Sequence, residues 1–160
     1  MEAYVQIPSL GGILLIDERK PDLSYRLVQD HARSRRVLCI TREPPERVER
    51  RHPMENAEHA WLVSNDGERS VNPFRLGAVR DRIEEFLRAH PAGAVLIDGV
   101  ELLMVMNSYE EVRELLNGLH DRMRQDGGEC VVPIDTRTLT TKELADMRRS
   151  FPMVRGDGQA

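Results

Sequence analysis

Ala94-Val95-Leu96-Ile97-Asp98-Gly99-Val100-Glu101 is the stretch whose reading decides the fold. Four apolar residues run without interruption into an aspartate, a glycine follows, and a glutamate stands three positions after the aspartate. An apolar run of this length between polar flanks reads as a central parallel strand buried on both faces. In open α/β sheets, ligands and chemistry collect outside the carboxyl ends of the strands. Asp98 and Glu101 are therefore placed at the functional edge of the sheet, with Gly99 permitting a tight exit.

The flanking sequence supplies the rest of such a sheet. Upstream, Gly11-Gly12 opens a strand over Ile13 to Ile16 that ends at Asp17. Pro21-Asp22 marks a helix start, with Asp22 placed to accept from free N–H groups of the first turn. Leu23, Leu27 and Val28 give this helix an apolar face as far as about Ser34. A second strand spans Val37 to Thr41, and a short polar helix follows from Pro45 to about Arg51. The third strand is expected over Ala60 to Ser64, closed by the turn Asn65-Asp66-Gly67. After Pro73, the spacing of Leu76, Val79, Ile83, Phe86 and Leu87 predicts one helical face.

Downstream, Ser108 and Glu111 have capping-box spacing, and Val112, Leu115, Leu116, Leu119 and Met123 line one side of the helix they open. Gly127-Gly128 ends it, Cys130 to Ile134 is the last strand with Asp135 after it, and Thr140 with Glu143 caps a final helix. Met1 to Ser9 reads as a lead with the alternation of an edge strand. Strands and helices alternate, so right-handed crossovers put helices on both faces. The expected fold class is α/β: a three-layer domain over 1–151 with a mainly parallel sheet, and a flexible tail over 152–160.

Composition narrows the classes. The 160 residues suit one domain, with 40% hydrophobic and 31% charged residues, as in an ordinary globular protein. A net charge of −4 gives no bulk attraction to nucleic acid or to an anionic membrane. Cys39 and Cys130 each sit in an apolar run and read as buried free thiols. No apolar run approaches the length of a membrane span, and no stretch has signal-peptide flanks, so a cytoplasmic location is expected.

Candidate chemistry is sparse. The junction Asp17-Glu18-Arg19-Lys20-Pro21-Asp22-Leu23-Ser24 contains no glycine and places carboxylates where a polyphosphate would lie, so it reads as a capped loop. Asp17, Glu43, Asp98, Glu101 and Asp135 form the candidate sheet-edge site. Asp98 and Glu101 have the hard oxygens that suit a hydrated magnesium ion; otherwise Asp98 caps the following turn, and Glu101 is solvated or paired with arginine. Glu43 is weighed as a general base against a solvated loop position. The basic region Arg33, Arg35, Arg36, Arg47 and Arg50, with Arg42, has glutamates interleaved and no aromatics, which argues against nucleic acid. Leu102 to Met106 is read as core packing, or else as a partner or self-association surface. No catalytic residue, metal or cofactor is assigned.

The segments GGILLIDE, VLCITREPPERV, AWLVSN, AVLIDGVELLMVMNSYEEVRELL and ECVVPIDTRTLTTKEL together resemble a mainly archaeal domain-of-unknown-function family, number 835, over roughly residues 10 to 147. Its members look like trimmed relatives of the RecA-like ATPase core, often attached to sensory or response-regulator modules. The resemblance implies that Ile13 to Ile16 matches the strand before a phosphate loop. It also sets Ile40 to Glu43 on the strand that ends in a catalytic glutamate, and Asp98 in a magnesium-linked position at the end of the Walker B strand. Residues 17 to 24 replace the phosphate-binding (Walker A) loop. The function expected is a non-catalytic regulatory or signalling module that works through a protein partner or self-association. The alternatives are a nucleotide-binding protein or weak NTPase using the sheet-edge carboxylates, and a nucleic-acid accessory using the arginines.

Overall fold

A computed structural model describes residues 11–156. The chain order is β1 (Gly12–Asp17), α1 (Asp22–His31), β2 (Val37–Thr41), α2 (Pro45–Arg51), β3 (Ala57–Leu62), β4 (Ser70–Val71) and α3 (Leu76–Ala89). It continues with β5 (Ala94–Asp98), α4 (Val100–Met106), α5 (Tyr109–Asp126), β6 (Glu129–Ile134), α6 (Thr141–Ser150) and β7 (Met153–Arg155). The strands form one sheet in the order β4-β3-β2-β5-β6-β1-β7. Among the described residues, all six pairings are parallel. β5 lies at the centre, and each of its five residues is buried.

Because every strand points the same way, every connection is a crossover, and its direction selects its face. α1 and α2 carry the chain toward β4 and lie on one face. There Tyr25, Val28 and Val48 pack on Ile16, Val37, Cys39, Leu96 and Val131. The connections that run the other way put α3, α4, α5 and α6 on the opposite face. There Ile83, Phe86, Leu103, Leu116, Leu119 and Met147 pack on Leu15, Leu38, Ile40, Val95, Ile97 and Val132. Side chains alternate between these two cores along each strand, which gives the three-layer arrangement.

Several local expectations change. The apolar run after β5, to which the sequence reading gave no element, is a helix: Gly99 turns the chain, and Val100 to Met106 forms α4. β4 extends the sheet after the Asn65-Asp66-Gly67 turn, and β3 begins at Ala57, earlier than expected. α1 stops at His31, and its buried residues are Ser24, Tyr25 and Val28, while Leu23 and Leu27 are only partly covered. The expected tail is a strand over Met153–Arg155, in register with Leu15, Ile16 and Asp17 of β1. The folded unit thus continues past 151 to at least Gly156. The edge-strand expectation for Met1 to Ser9 lies outside the described residues.

Both helix caps expected downstream are present. Ser108 accepts from the Glu111 N–H, and Thr140 and Glu143 make a complete capping box. Gly127 closes α5 in the left-handed conformation, at φ 81°.

Candidate functional site

The connections from β2 and from β5, which are neighbours in the sheet, leave in opposite directions and on opposite faces. That divergence opens a crevice at their carboxyl ends, the place where open α/β sheets take ligands. Thr41 and Asp98 stand side by side in the register, and the Arg42 N–H donates to the Asp98 carbonyl at 3.0 Å. The chain leaves β5 through Gly99 at φ 152°. A Cβ there would come within 2.8 Å of Arg42 Cγ and of Leu62, so glycine is needed both for backbone angle and for space.

Asp98 is only 6% exposed and shares its side of the sheet with α1. The Tyr25 hydroxyl donates to Asp98 Oδ2 at 3.2 Å, and Arg42 Nη2 lies 3.6 Å from Oδ1. Burial pushes the Asp98 carboxyl above its ordinary range, helped by Glu101 and Glu43 and opposed by Arg42 and Tyr25. The Tyr25 ring stacks on His52, with centroids 3.8 Å apart and planes within 7°. Burial lowers the His52 imidazole. A neutral ring therefore covers the phenol that covers the carboxylate.

The five candidate carboxylates do not meet at one point. Glu43 sits with Asp98 on the α1–α2 side, bound to Arg51 at 3.3 Å and near Arg47 at 3.7 Å. On the other side, Glu101 accepts the Asp135 N–H at 2.8 Å, which joins α4 to the end of β6. Asp135 pairs with Arg137, and that partner lowers its carboxyl to about 2. Asp17 accepts from the Thr136 hydroxyl at 3.0 Å. Asp98 thus caps no turn, and Glu101 is held by a backbone N–H rather than by arginine.

The magnesium-linked position does not fit a cation. A magnesium ion keeps an octahedral shell with several waters, whereas Asp98 is enclosed and has the Arg42 guanidinium beside it. Among the described residues, no group of three or more His, Cys, Asp or Glu side chains is arranged to hold a metal.

The first strand-to-helix junction is closed by Glu18. Its carboxylate accepts the Leu23 and Ser24 N–H groups, each at 3.0 Å, and the Ser24 hydroxyl. These donors open α1, where an anion is favoured by free N–H groups and the helix dipole. Asp22, expected as the cap, is instead the first helical residue. Burial holds the Glu18 carboxyl above its usual range despite these donors.

The arginine region is divided by β2. Arg33, Arg35 and Arg36 precede the strand, where Arg33 faces Asp30, Arg36 faces Glu58, and Arg35 donates to the Ala92 and Gly127 carbonyls. Arg47 and Arg50 lie beyond its other end, in α2. In α4, Leu103 is buried while Val105 is 83% exposed. Asn107, at the end of α4, donates to the Pro73 carbonyl, beside Phe74, which is 57% exposed.

Tyr25, His52 and Glu18 were missed as site residues. The available signal for Tyr25 was a phenol three positions before Val28 on a buried helix face, which requires an acceptor at strand level. His52 and Glu18 gave no comparable signal.

A family model described as "Protein of unknown function (DUF835)" matches residues 17–151. The chain belongs to this family. No curated protein matches it. The match begins at Asp17 and contains Glu18, Tyr25, Arg42, His52 and Asp98, so the site lies within the part the family shares. Among the described residues, no helix is long and apolar enough to cross a membrane.

Proposed function

We propose that this chain is a non-catalytic regulatory or signalling module that acts through contacts with another protein, on a RecA-like sheet that has lost its nucleotide site. The observation that carries the reading is Glu18, whose carboxylate takes the α1 donors a phosphate would need. The enclosure of Asp98 by Tyr25 and Arg42 supports it from the metal side. The ATPase-core comparison is supported by strand adjacency, since β2, leading into Glu43, pairs directly with β5, ending in Asp98. A contact surface is supported by the exposure of Val105 and Phe74. A cytoplasmic location is part of this reading, supported by two buried free cysteines.

The test is a calorimetric titration with Mg-ATP and Mg-GTP. The wild-type chain is expected to give a flat trace at millimolar nucleotide. Micromolar binding that is abolished by Asp98→Ala would overturn the proposal in favour of a nucleotide-binding protein.

A further inference from the structure

α3 and α5 lie side by side on the apolar side of the sheet, and a groove of ≈ 470 Å³ runs between them. Its α3 wall is formed by Leu76, Gly77, Arg80 and Glu84. Its α5 wall is formed by Glu111, Glu114, Leu115 and Gly118, with the buried Leu119 beneath. These positions recur at three and four residues, so each set lines one face of its helix. Each wall extends about 12 Å, at a rise of about 1.5 Å per residue. Leu76 and Leu115 pack on the core but are only partly covered by it. Phe74, 57% exposed, stands two residues before Leu76 at the entry to α3.

The charges of the groove are unbalanced. Glu84 pairs with Arg122, and Arg80 stands beside Asp81. Glu111 accepts the Ser108 hydroxyl at 3.0 Å, and among the described residues no cation pairs with it or with Glu114. The two glycines are a separate observation. Gly118 lies inside the 18-residue α5, and nothing stands within 4 Å of the place its Cβ would take. At Gly77 only the Arg80 guanidinium comes near, at 3.8 Å. Neither has a positive φ. Glycine weakens a helix interior relative to alanine, so the fold gains nothing from it at Gly118. What the missing Cβ gives is room for a second backbone to come close.

We infer that this groove takes a basic amphipathic helix of a partner protein, laid along α3 and α5. Its apolar edge rests on Leu76 and Leu115, and its lysines or arginines stand beside Glu111 and Glu114. A helix in a groove is a recurring mode of recognition, read through anchors three and four residues apart. A neutral or acidic helix would cover the two carboxylates without pairing them, which costs free energy. A second copy using this same face would be opposed by charge. A twofold interface sets a patch against itself, so Glu111 and Glu114 of both chains would meet. This placement rests on the protein-contact reading and adds where the contact is made and with what chemistry.

The experiment displays on phage a library of helical peptides of about 18 residues, five turns, and pans it against the full chain. The polar face is randomised over lysine, glutamate and glutamine, and the apolar face over leucine, isoleucine, alanine and methionine. The bound clones are expected to be rich in lysine and, as free peptides, to bind at micromolar concentration, more weakly as salt rises. They should shift the amide signals of Gly77 and Gly118. Gly118→Leu fills the groove with a good helix former and should cost at least tenfold in affinity. Glu114→Lys should cost about threefold, the size of an exposed ion pair. Both positions are exposed, so an unchanged melting temperature separates lost binding from lost folding, and should one variant fail to fold, the other decides. Recovery of no clone, of clones without basic residues, or of clones indifferent to either folded variant would overturn the inference. A dimer of the free chain that is lost in Gly118→Leu would also overturn it, by making a second copy the occupant. Clones that bind at α4 instead leave the protein-contact reading standing, since that reading falls only with the nucleotide titration.

Discussion

On the α3–α6 side of the sheet the buried cluster is apolar throughout, whereas the five buried polar or charged residues among those described, Ser24, Thr41, His59, Asp98 and Glu129, all belong to the α1–α2 side. Even the deep end of that second face is polar, since Glu129 meets His31 at 2.7 Å where α1 ends. The contrast separates two roles that a single sheet must combine. Apolar packing needs only area and shape, and it supplies stability. Buried polar groups each need a partner, so they add specificity at a cost in desolvation. The candidate site lies on the polar side, where Asp98 is enclosed with Tyr25 and Arg42 beside it.

The largest expected effect tests the apolar face. Leu116→Ala should destabilise the chain by about 2–5 kcal/mol in urea denaturation, the range for a fully buried leucine. A loss below 1 kcal/mol would mean that stability does not reside there. On the polar face, Tyr25→Phe removes a donor from a buried carboxylate and should cost about 1.5–3 kcal/mol at pH 7, as hydrogen bonds to charged groups do. The donor lowers the Asp98 pKa. Its loss is therefore felt in full above the folded-state pKa and fades as pH falls through it. An effect independent of pH would show that Asp98 is not ionised in the native state.

A smaller effect comes from the histidines. His52, His59 and His120 are all lowered below 6.5, with burial as the main cause. The unfolded chain therefore takes up protons first, and the stability present above pH 6.5 should decline as pH falls toward the folded-state values. His120 is the member of this set on the apolar side, where its Nδ1 accepts the Ile13 N–H at 2.8 Å and its ring meets Phe151. His120→Asn keeps an acceptor but cannot titrate, so melting curves at pH 7.5 and 5.5 should lie closer together than in the wild type. An unchanged gap would assign the pH response wholly to the polar face. The smallest effect is a gain. Gly118 sits inside α5 with open space where a Cβ would stand. Gly118→Ala should add about 0.5–1 kcal/mol through helix propensity.

Much of the architecture was legible because it is local. The apolar runs of β1, β2, β5 and β6, the 3.6-residue spacing in α3 and α5, and the caps at Ser108 and Thr140 all carry their signal within a few residues. α4 was not, because Leu102 to Met106 is apolar on every side and shows no period. β4 and β7 have two and three residues, too few for a pattern, and they are strands only because β3 and β1 offer edges. The carboxylates could be assigned to the sheet edge from their places after strands. Their division between two faces could not, since it depends on partners such as Tyr25 and Asp98, 73 positions apart. Glu18 competes with Asp22 for the same donors, and loop geometry alone decides between them.

Glu18 has one further consequence, which concerns competition. A ligand tied to its receptor by a few residues acts at an effective concentration on the order of millimolar or above. Its tether holds that concentration fixed, whatever the state of the cell. A free phosphate would have to outcompete a carboxylate that never diffuses away, so swings in nucleotide supply would pass without filling the α1 terminus. Under the regulatory reading proposed above, a module closed in this way would keep one form through feast and starvation alike, and its message would depend on who is bound rather than on how much fuel is present.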